Sequence, residues 1–360
     1  MKNLLIVEYD LSETGGGETV AVKLANEFSR FKDSNTYLLS ICTKTSKIPY
    51  EIDDNVKLVL WKTCNKKVLS TILLNRKRFN RFLNEKKISL VIFIGCVSSL
   101  LAMFIKNRSL RIISCDHSGL INQWSNKKTV LCKWIQARYC DHLIVLNERI
   151  KEEFERKFKC AGGKIVVIPN WFEKPTVDYK YEIDSKRIVS VGRLSKEKGY
   201  GLLLKAADIV YKSCPEWKWD IYGDGPMRRE LEKKINERSL NHFLSLKGNV
   251  KNAADLLPGY AMLVLTSYRE AMPLVILEAK SRKLPVISFD IRTGPAEMIC
   301  NGTDGYLIEP FHVKQMAEKI IFLIKNSEER IQMSCKAGEN LEEFSKEQVL
   351  LSWKKLLESI

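Results

Sequence analysis

The chain has 360 residues, 45% of them apolar and 28% charged, which excludes a disordered or fibrous protein and suits two domains of ordinary size. It carries 59 Lys+Arg against 43 Asp+Glu, a net charge of +16, and the excess is uneven. Residues 1–175 hold 30 basic and 17 acidic side chains, while the remainder holds 29 and 26, so the first half is the part built to meet something anionic.

Short apolar runs alternate with helix-period segments along the chain. Leu4–Val7, Tyr37–Ile41, Leu90–Ile94, Arg111–Ser114, His142–Leu146 and Ile165–Ile168 read as strands of a parallel sheet. Glu18–Arg30, Thr129–Arg138 and Asn147–Phe158 read as helices between them. Residues 169–184, with two prolines and no periodicity, read as an inter-domain linker. A second series follows, with strands at Arg187–Val191, Trp219–Tyr222, Met262–Thr266, Pro285–Phe289 and Tyr306–Ile308. Its helices are Tyr200–Lys212, Pro226–Arg238, Leu274–Lys283 and Val313–Lys325. The fold class is therefore α/β, with two Rossmann-like, doubly wound domains facing across a cleft. The expected boundaries are 1–172 and 173–345, with a final helix in 346–360 crossing back to the first domain.

Ile88–Ile105 runs eighteen residues without a charge, at the threshold for a membrane span. Gly95 and Ser98-Ser99 interrupt it, so it reads as a buried strand, a turn and a short helix. No secretory signal is visible, because Glu8 and Asp10 break the first apolar run. Ten scattered cysteines without a C-x-x-C pair predict a reduced, cytoplasmic chain, and neither they nor the four histidines have metal-ligand spacing.

Candidate chemistry lies at the strand ends. Gly15-Gly16-Gly17-Glu18 opens a helix whose free N–H groups suit an anion, although a flexible turn explains the glycines equally well. It is not the G-x-G-x-x-G of dinucleotide sites. Arg193 and Lys198 sit in one loop after a buried strand, where a planar fork and a point charge together suit a diphosphate. A solvated charged loop is the alternative there. Glu270 and Glu278 flank seven uncharged residues, and a carboxylate beside a buried segment needs partners such as sugar hydroxyls or a salt bridge.

Gly192-Arg193, Glu197-Lys198-Gly199, Gly223-Asp224-Gly225-Pro226, the Glu-x7-Glu from Glu270 to Glu278, Gly294-Pro295-x-Glu297 and Gly302-x-x-Gly305 occur in one order over residues 185–310. In that order they resemble the retaining nucleotide-sugar glycosyltransferases of family 4, with the GT-B fold. The first domain is similar more loosely, through Gly15–Glu18, His117 and Val167-Ile168-Pro169-Asn170. The resemblance implies that Arg193 and Lys198 hold the donor diphosphate, with Gly16 and Gly17 bordering it from across the cleft. It implies that Glu278 binds the ribose and that Glu270 contacts the donor sugar, near the backbone of Ala271, Met272, Pro273 and Leu274. His117, at a strand end in Cys115-Asp116-His117-Ser118, takes the place of the family's active-site histidine. With Glu270 it is the expected catalytic pair.

The same resemblance implies retention of anomeric configuration by front-side attack and no cofactor beyond the nucleotide-sugar substrate. No Asp-x-Asp triplet occurs, which disfavours the metal-dependent alternative, and no catalytic metal is expected. Gly294-Pro295 in place of Gly-Gly is similar to bacterial enzymes that use UDP-hexose or UDP-N-acetylhexosamine in polysaccharide or lipopolysaccharide assembly. The implied acceptor is a glycan or lipid-linked saccharide.

Residues 66–87 hold Lys66, Lys67, Arg76, Lys77, Arg78, Arg81, Lys86 and Lys87 against Glu85 alone, with Val68, Leu69, Ile72, Leu73, Phe79, Phe82 and Leu83 at helical spacing. A basic amphipathic helix fits an anionic membrane surface, and an ordinary surface helix with a solvated basic face shows the same pattern. With the resemblance, it places the protein peripherally on the inner face of the plasma membrane. Two readings compete. A nucleic-acid binder explains the charge but leaves the second-domain motifs unexplained, and no nucleic-acid motif is present, so no such partner is expected. A GT-B epimerase or phosphorylase shares the motifs but differs in its products.

Overall fold

A computed structural model describes residues 2–13, 15–31, 34–45, 48–62, 67–120, 122, 125–159, 163–250 and 252–360. The chain divides into two compact units, Met1–Pro169 with Lys355–Ile360, and Asn170–Lys354.

The first unit is built on a seven-stranded parallel sheet: β1 (Lys2–Glu8), β2 (Ser34–Ser40), β3 (Val56–Leu60), β4 (Ile88–Ile94), β5 (Arg111–Asp116), β6 (His142–Val145) and β7 (Ile165–Val167). Their order is β3-β2-β1-β4-β5-β6-β7. Leu5 stands opposite Tyr37 on one side and Val91 on the other, and all three are buried, as strands covered on both faces require. The helices are α1 (Gly16–Ser29), α2 (Val68–Glu85), α3 (Gly95–Ser98), α4 (Lys127–Tyr139) and α5 (Glu148–Phe158).

The second unit has a six-stranded parallel sheet: β8 (Arg187–Val191), β9 (Lys218–Tyr222), β10 (Leu244–Gly248), β11 (Met262–Leu265), β12 (Val286–Phe289) and β13 (Gly305–Ile308). They run in the order β10-β9-β8-β11-β12-β13. Its helices are α6 (Tyr200–Ser213), α7 (Arg228–Glu237), α8 (Leu274–Lys280), α9 (Val313–Lys325) and α10 (Ser327–Ala337), and α11 (Lys346–Ser359) closes the chain. The core on one side of this sheet joins Ile188, Trp219, Val264 and Ile287 to Leu203, Ala207 and Val210 of α6 and Met316 and Ile320 of α9.

Both sheets are doubly wound, as the alternation of elements implies. Two strands differ from expectation because they are edges. In β3 (VKLVL) Lys57 and Leu58 are exposed, and β10 (LSLKG) is mostly part-exposed, so neither shows the uncharged run of a strand buried on both faces. Helix α10 was likewise not anticipated from periodicity. Residues 169–184 contain no helix or strand, but they are not a loose tether: Phe172 is buried in the second core and Tyr181 donates to the Ala261 carbonyl at 2.7 Å.

The uncharged run 88–105 is divided among β4, α3 and a short 3-10 helix, and among the described residues no helix is long and apolar enough to cross a membrane. The expectation of a wholly reduced chain fails at Cys42, which is buried just past β2 and disulfide-bonded. Cys96, Cys115, Cys132, Cys140, Cys214, Cys300 and Cys335 are free. A pairing made by the fold leaves no spacing signal in the chain, which is why the sequence did not reveal it.

Candidate active site

In a doubly wound sheet, ligands bind beyond the carboxyl ends of the strands, where the winding reverses. In the second unit that point lies between β8 and β11. After β8, Gly192 donates its N–H to the Tyr222 carbonyl at 2.9 Å, and Leu194 donates to Asp224 at 2.9 Å. The two loops interlock so tightly that a Cβ on Gly223, at φ 133°, would stand 2.0 Å from the Gly192 oxygen. Gly199, in the left-handed region at φ 67°, starts α6 against the exit of β11, where a Cβ would lie 1.9 Å from the Thr266 oxygen. Glycine at 199 is thus required by both backbone and space. Gly199→Ala should cost more than the ~1–2 kcal/mol of left-handed backbone alone, read as a lower urea midpoint.

This close approach brings Lys198 to Glu270. The Lys198 ammonium donates to Glu270 Oε1 at 2.6 Å, and the Ser267 hydroxyl donates to the same oxygen at 2.6 Å. The pair is partly buried, at 25% and 11% side-chain exposure. Thr266 Oγ1 donates to the Lys198 carbonyl at 3.2 Å, and Tyr268 N–H to the Glu197 carbonyl at 2.8 Å, so the loops after β8 and β11 are stitched on both sides of the pair. Tyr200 donates to the Gly192 carbonyl at 2.8 Å, and burial, followed by the charge of Glu270, raises its phenol. Arg193 in the same loop is exposed, and its side chain makes no ion pair or hydrogen bond among the described residues.

Ala271 to Pro273 pack on Gly294, where a Cβ would meet Pro273 Cδ at 2.9 Å and the Ala271 oxygen at 3.3 Å. Leu274 opens α8, and Glu278 lies half-buried within that helix. The helix end is anchored by Lys280, fully buried with Asp304 at 2.8 Å and donating to the Met298 carbonyl at 2.6 Å. The expected need of Glu270 for partners is met by Lys198 and Ser267. Two residues expected in separate roles are one ion pair.

In the first unit, β1 ends at Glu8, and a loop leads to Gly16 and Gly17 in the first turn of α1, which has no side-chain cap. Tyr50 accepts from Gly15 N–H at 3.3 Å and donates to the Glu13 carbonyl at 3.0 Å, holding that loop. A Cβ on Gly16 would meet nothing within 4 Å. His117 follows β5, and both its ring nitrogens are buried without a partner among the described residues. Burial, with Lys133 adding to it and Asp116 opposing, pushes its imidazole down to about 4, so it is neutral at pH 7.

Beside it, Asp116 is buried against Lys133 of α4 and accepts N–H bonds from Ser118 at 3.0 Å and Gly119 at 2.8 Å. Burial alone would raise this carboxyl, but the Lys133 charge and hydrogen bonds prevail and hold it below its usual range. Lys133 lies outside the expected site residues, and its place between Cys132 and Trp134 in α4 does not by itself mark it as buried.

Of the basic helix, Lys66 lies outside the described residues, while Lys67, Arg76, Lys77, Arg78 and Arg81 are all exposed. Arg78 lies over the Trp61 ring at 4.5 Å. The apolar stripe divides. Ile72, Phe79 and Leu83 enter the core, whereas Leu69 and Leu74 are each 60% exposed, and Val68 and Leu73 are also open to solvent. On the same side of the sheet, α4 exposes Leu131 and Trp134 at 56% and 44%, and the 3-10 helix between β4 and β5 exposes Met103.

Two family models match. "Glycosyl transferases group 1" covers residues 174–340, and "Glycosyltransferase Family 4" covers residues 14–173. The chain is 26% identical to the amylovoran biosynthesis glycosyltransferase AmsD of Erwinia amylovora, over 99% of this chain and 100% of that one. It is 30% identical to a poly(ribitol-phosphate) alpha-N-acetylglucosaminyltransferase of Staphylococcus aureus, over 62% of this chain and 45% of that one. Among solved structures, a S. aureus TarM variant in complex with Fondaparinux, alpha-GlcNAc-glycerol and UDP superposes with TM-score 0.84 at 18% identity, over 99% of each chain, which shows a shared fold.

Proposed function

The chain belongs to the glycosyltransferase family that these two models describe, and we propose that it moves a hexose or N-acetylhexosamine from a UDP-sugar, with retention, to a glycan or lipid-linked saccharide of the cell surface. The observation that carries this reading is the Lys198–Glu270 pair at the reversal point of the second sheet, with the unpaired guanidinium of Arg193 in the same loop. In this reading Lys198 and Arg193 bind the diphosphate and stabilise it as it leaves. Glu278 binds the ribose hydroxyls. Glu270, oriented by Lys198 and Ser267, contacts the sugar beside the backbone of Ala271 to Leu274. For Gly16, Gly17 and the neutral imidazole of His117 in the first unit, the roles are only those that the family resemblance implies, toward the diphosphate and the sugar. The departing diphosphate oxygen takes the acceptor proton, so no metal or separate base is called for. UDP and the cell-surface acceptor are supported by the named ligands and activities of the relatives.

A panel of UDP-, GDP- and ADP-sugars tests this by thermal shift and slow hydrolysis. UDP-sugars should raise the melting temperature, by the equivalent of about 2.7 kcal/mol at a hundred times Kd, and should be hydrolysed. No stabilisation and no hydrolysis by any of them overturns the reading. Conversion of the donor to another sugar nucleotide without acceptor would make the protein an epimerase.

We also propose that the first unit docks on the anionic inner face of the plasma membrane. Helices α2 and α4 each pack on the 3-10 helix between β4 and β5; these elements expose Leu69, Leu74, Met103, Leu131 and Trp134, and α2 with its N-cap and α4 also expose Lys67, Arg76, Lys77, Arg81, Lys127 and Lys128, with no acidic residue in α4 and only Glu85 in α2. Each cation near such a surface contributes about 1 kcal/mol. Sedimentation with phosphatidylglycerol vesicles should exceed that with phosphatidylcholine, and L69S/L74S should lower it severalfold. Equal sedimentation with both lipids would reject the docking.

A further inference from the structure

Three neighbouring strands of the second sheet lead into aromatic side chains at their carboxyl ends, the side on which ligands bind. Phe289 is the last residue of β12, Tyr268 follows β11 and Phe311 follows β13, so the three converge across the end of β12. Phe289 is fully buried, and the Phe311 ring stands edge-on to it at 5.9 Å. Tyr268 packs beside Phe311 at 5.2 Å, with the two rings tilted by 49°. Yet Tyr268 and Phe311 remain 46% and 44% exposed. The pair is fixed on one side and open on the other.

Packing alone does not account for Phe311. The His312 N–H closes a turn on the Glu309 carbonyl at 3.0 Å, which puts Pro310 and Phe311 at its two central positions. Phe311 has φ 66°, the left-handed geometry that turns of this kind give to glycine or asparagine. A bulky residue there carries backbone strain, and a ring left nearly half exposed recovers only part of it. Glycine would close the same turn without that strain. Strain kept for a surface ring points to something that the ring holds.

The position narrows the occupant. Tyr268 lies two residues before Glu270, and its N–H on the Glu197 carbonyl at 2.8 Å fixes it beside the residue that precedes Lys198. The rings therefore share the β11 loop with Glu270 and are tied to the loop of Lys198. Their exposed neighbours along the chain are polar: Arg269 after Tyr268, and Glu309 and His312 around Phe311. Two rings with a polar rim are too small for a lipid surface. They match a pyranose, whose apolar C–H face meets the negative face of an aromatic ring while its hydroxyls reach the rim. The Tyr268 hydroxyl makes no hydrogen bond among the described residues and can donate to a sugar hydroxyl or accept from one.

We propose that Tyr268 and Phe311 form a saccharide subsite, on which a pyranose ring of the substrate glycan stacks beyond the sugar at Glu270. The assignment rests on the transferase reading and adds to it a binding position for a sugar that does not react.

The test uses the full chain with maltotetraose, cellotetraose and chitotetraose, followed by saturation-transfer NMR and calorimetry. At least one should bind, with saturation passing from aromatic resonances to its pyranose C–H protons. Y268S should weaken that binding at least fivefold, and so should F311L, which keeps apolar packing on Phe289 but has no ring face. Y268W should hold it within twofold, and UDP affinity should move less than twofold in all three. Binding of none of the tetrasaccharides overturns the subsite, as does equal binding by the unaltered chain, Y268S and F311L. UDP affinity that falls with both variants puts the rings against the nucleotide and overturns it too. If F311L does not fold, by circular dichroism, Y268S decides alone. Stabilisation by UDP-sugars without saccharide binding removes the subsite and leaves the transferase reading standing, whereas absence of both removes both.

Discussion

Lys198→Ala is expected to lower transfer by about 10²–10³-fold, the usual loss when one preorganised group is removed from a developing negative charge. The ammonium is held at 2.6 Å from Glu270 and its loop is tied to the exit of β11 by the Thr266 and Tyr268 hydrogen bonds. None of those backbone ties uses the lysine side chain, so the fold should persist and the unfolding midpoint should move little. Glu270 keeps its Ser267 bond in the variant. UDP-sugar affinity by calorimetry should fall with activity, because in the proposed reading the same cation serves donor and leaving group. Glu278→Ala should weaken donor binding too, through the nucleoside. Unchanged donor affinity in both variants would remove the site from the second unit's reversal point.

The second large effect lies in the first unit. Lys133→Met should destabilise the protein by about 3–5 kcal/mol, because it leaves Asp116 charged in the core with no cation beside it and only the hydrogen bonds from Ser118 and Gly119 among the described residues. The double variant Lys133→Met/Asp116→Leu should recover much of that loss, since the desolvation of both charges goes with the pair. The pH dependence has a definite sign. Asp116 is held below its usual range in the intact protein, so its pairing stabilises the fold above pH 4 and is lost only as pH falls through the lowered value. Without Lys133, burial is opposed only by the Ser118 and Gly119 hydrogen bonds and the carboxyl rises, so the gap between variant and unaltered chain should be widest at pH 7 and narrow toward pH 5. Urea denaturation at the two pH values reads this directly, and a gap that widens toward pH 5 would contradict the pairing.

Much of the architecture is legible in the residues because the interior strands are buried on both faces. Leu4–Val7 and Val91–Ile94 have no room for charge, and their uncharged runs mark them. The edge strands β3 and β10 keep lysines on an open face and carry no such mark. The uncharged run 88–105 is a different case. Gly95 permits the left-handed turn out of β4, so a segment with the composition of a membrane span folds instead into the domain core.

For the candidate site, the chain itself names residue types and order. Gly192, Arg193, Lys198, Gly199, Glu270 and Glu278 stand where strands end and helices begin, and their spacing is a local property that periodicity can place. Which of them touch is not local. Lys198 meets Glu270 across 72 positions because β11 returns beside β8, and Lys133 meets Asp116 because α4 lays one lysine against the sheet. The stripe on α2 divides for the same reason, since only Ile72, Phe79 and Leu83 point at the sheet, and Leu69 and Leu74 do not. Sequence alone therefore determines the alternation of elements, the motif order and the basic character of the first half. Strand order and burial decide which charges are paired, as Lys198 with Glu270 and Lys133 with Asp116, and which apolar side chains remain at the surface. The reason is that a buried charge must find its partner in space, and position along the chain does not say where that partner lies.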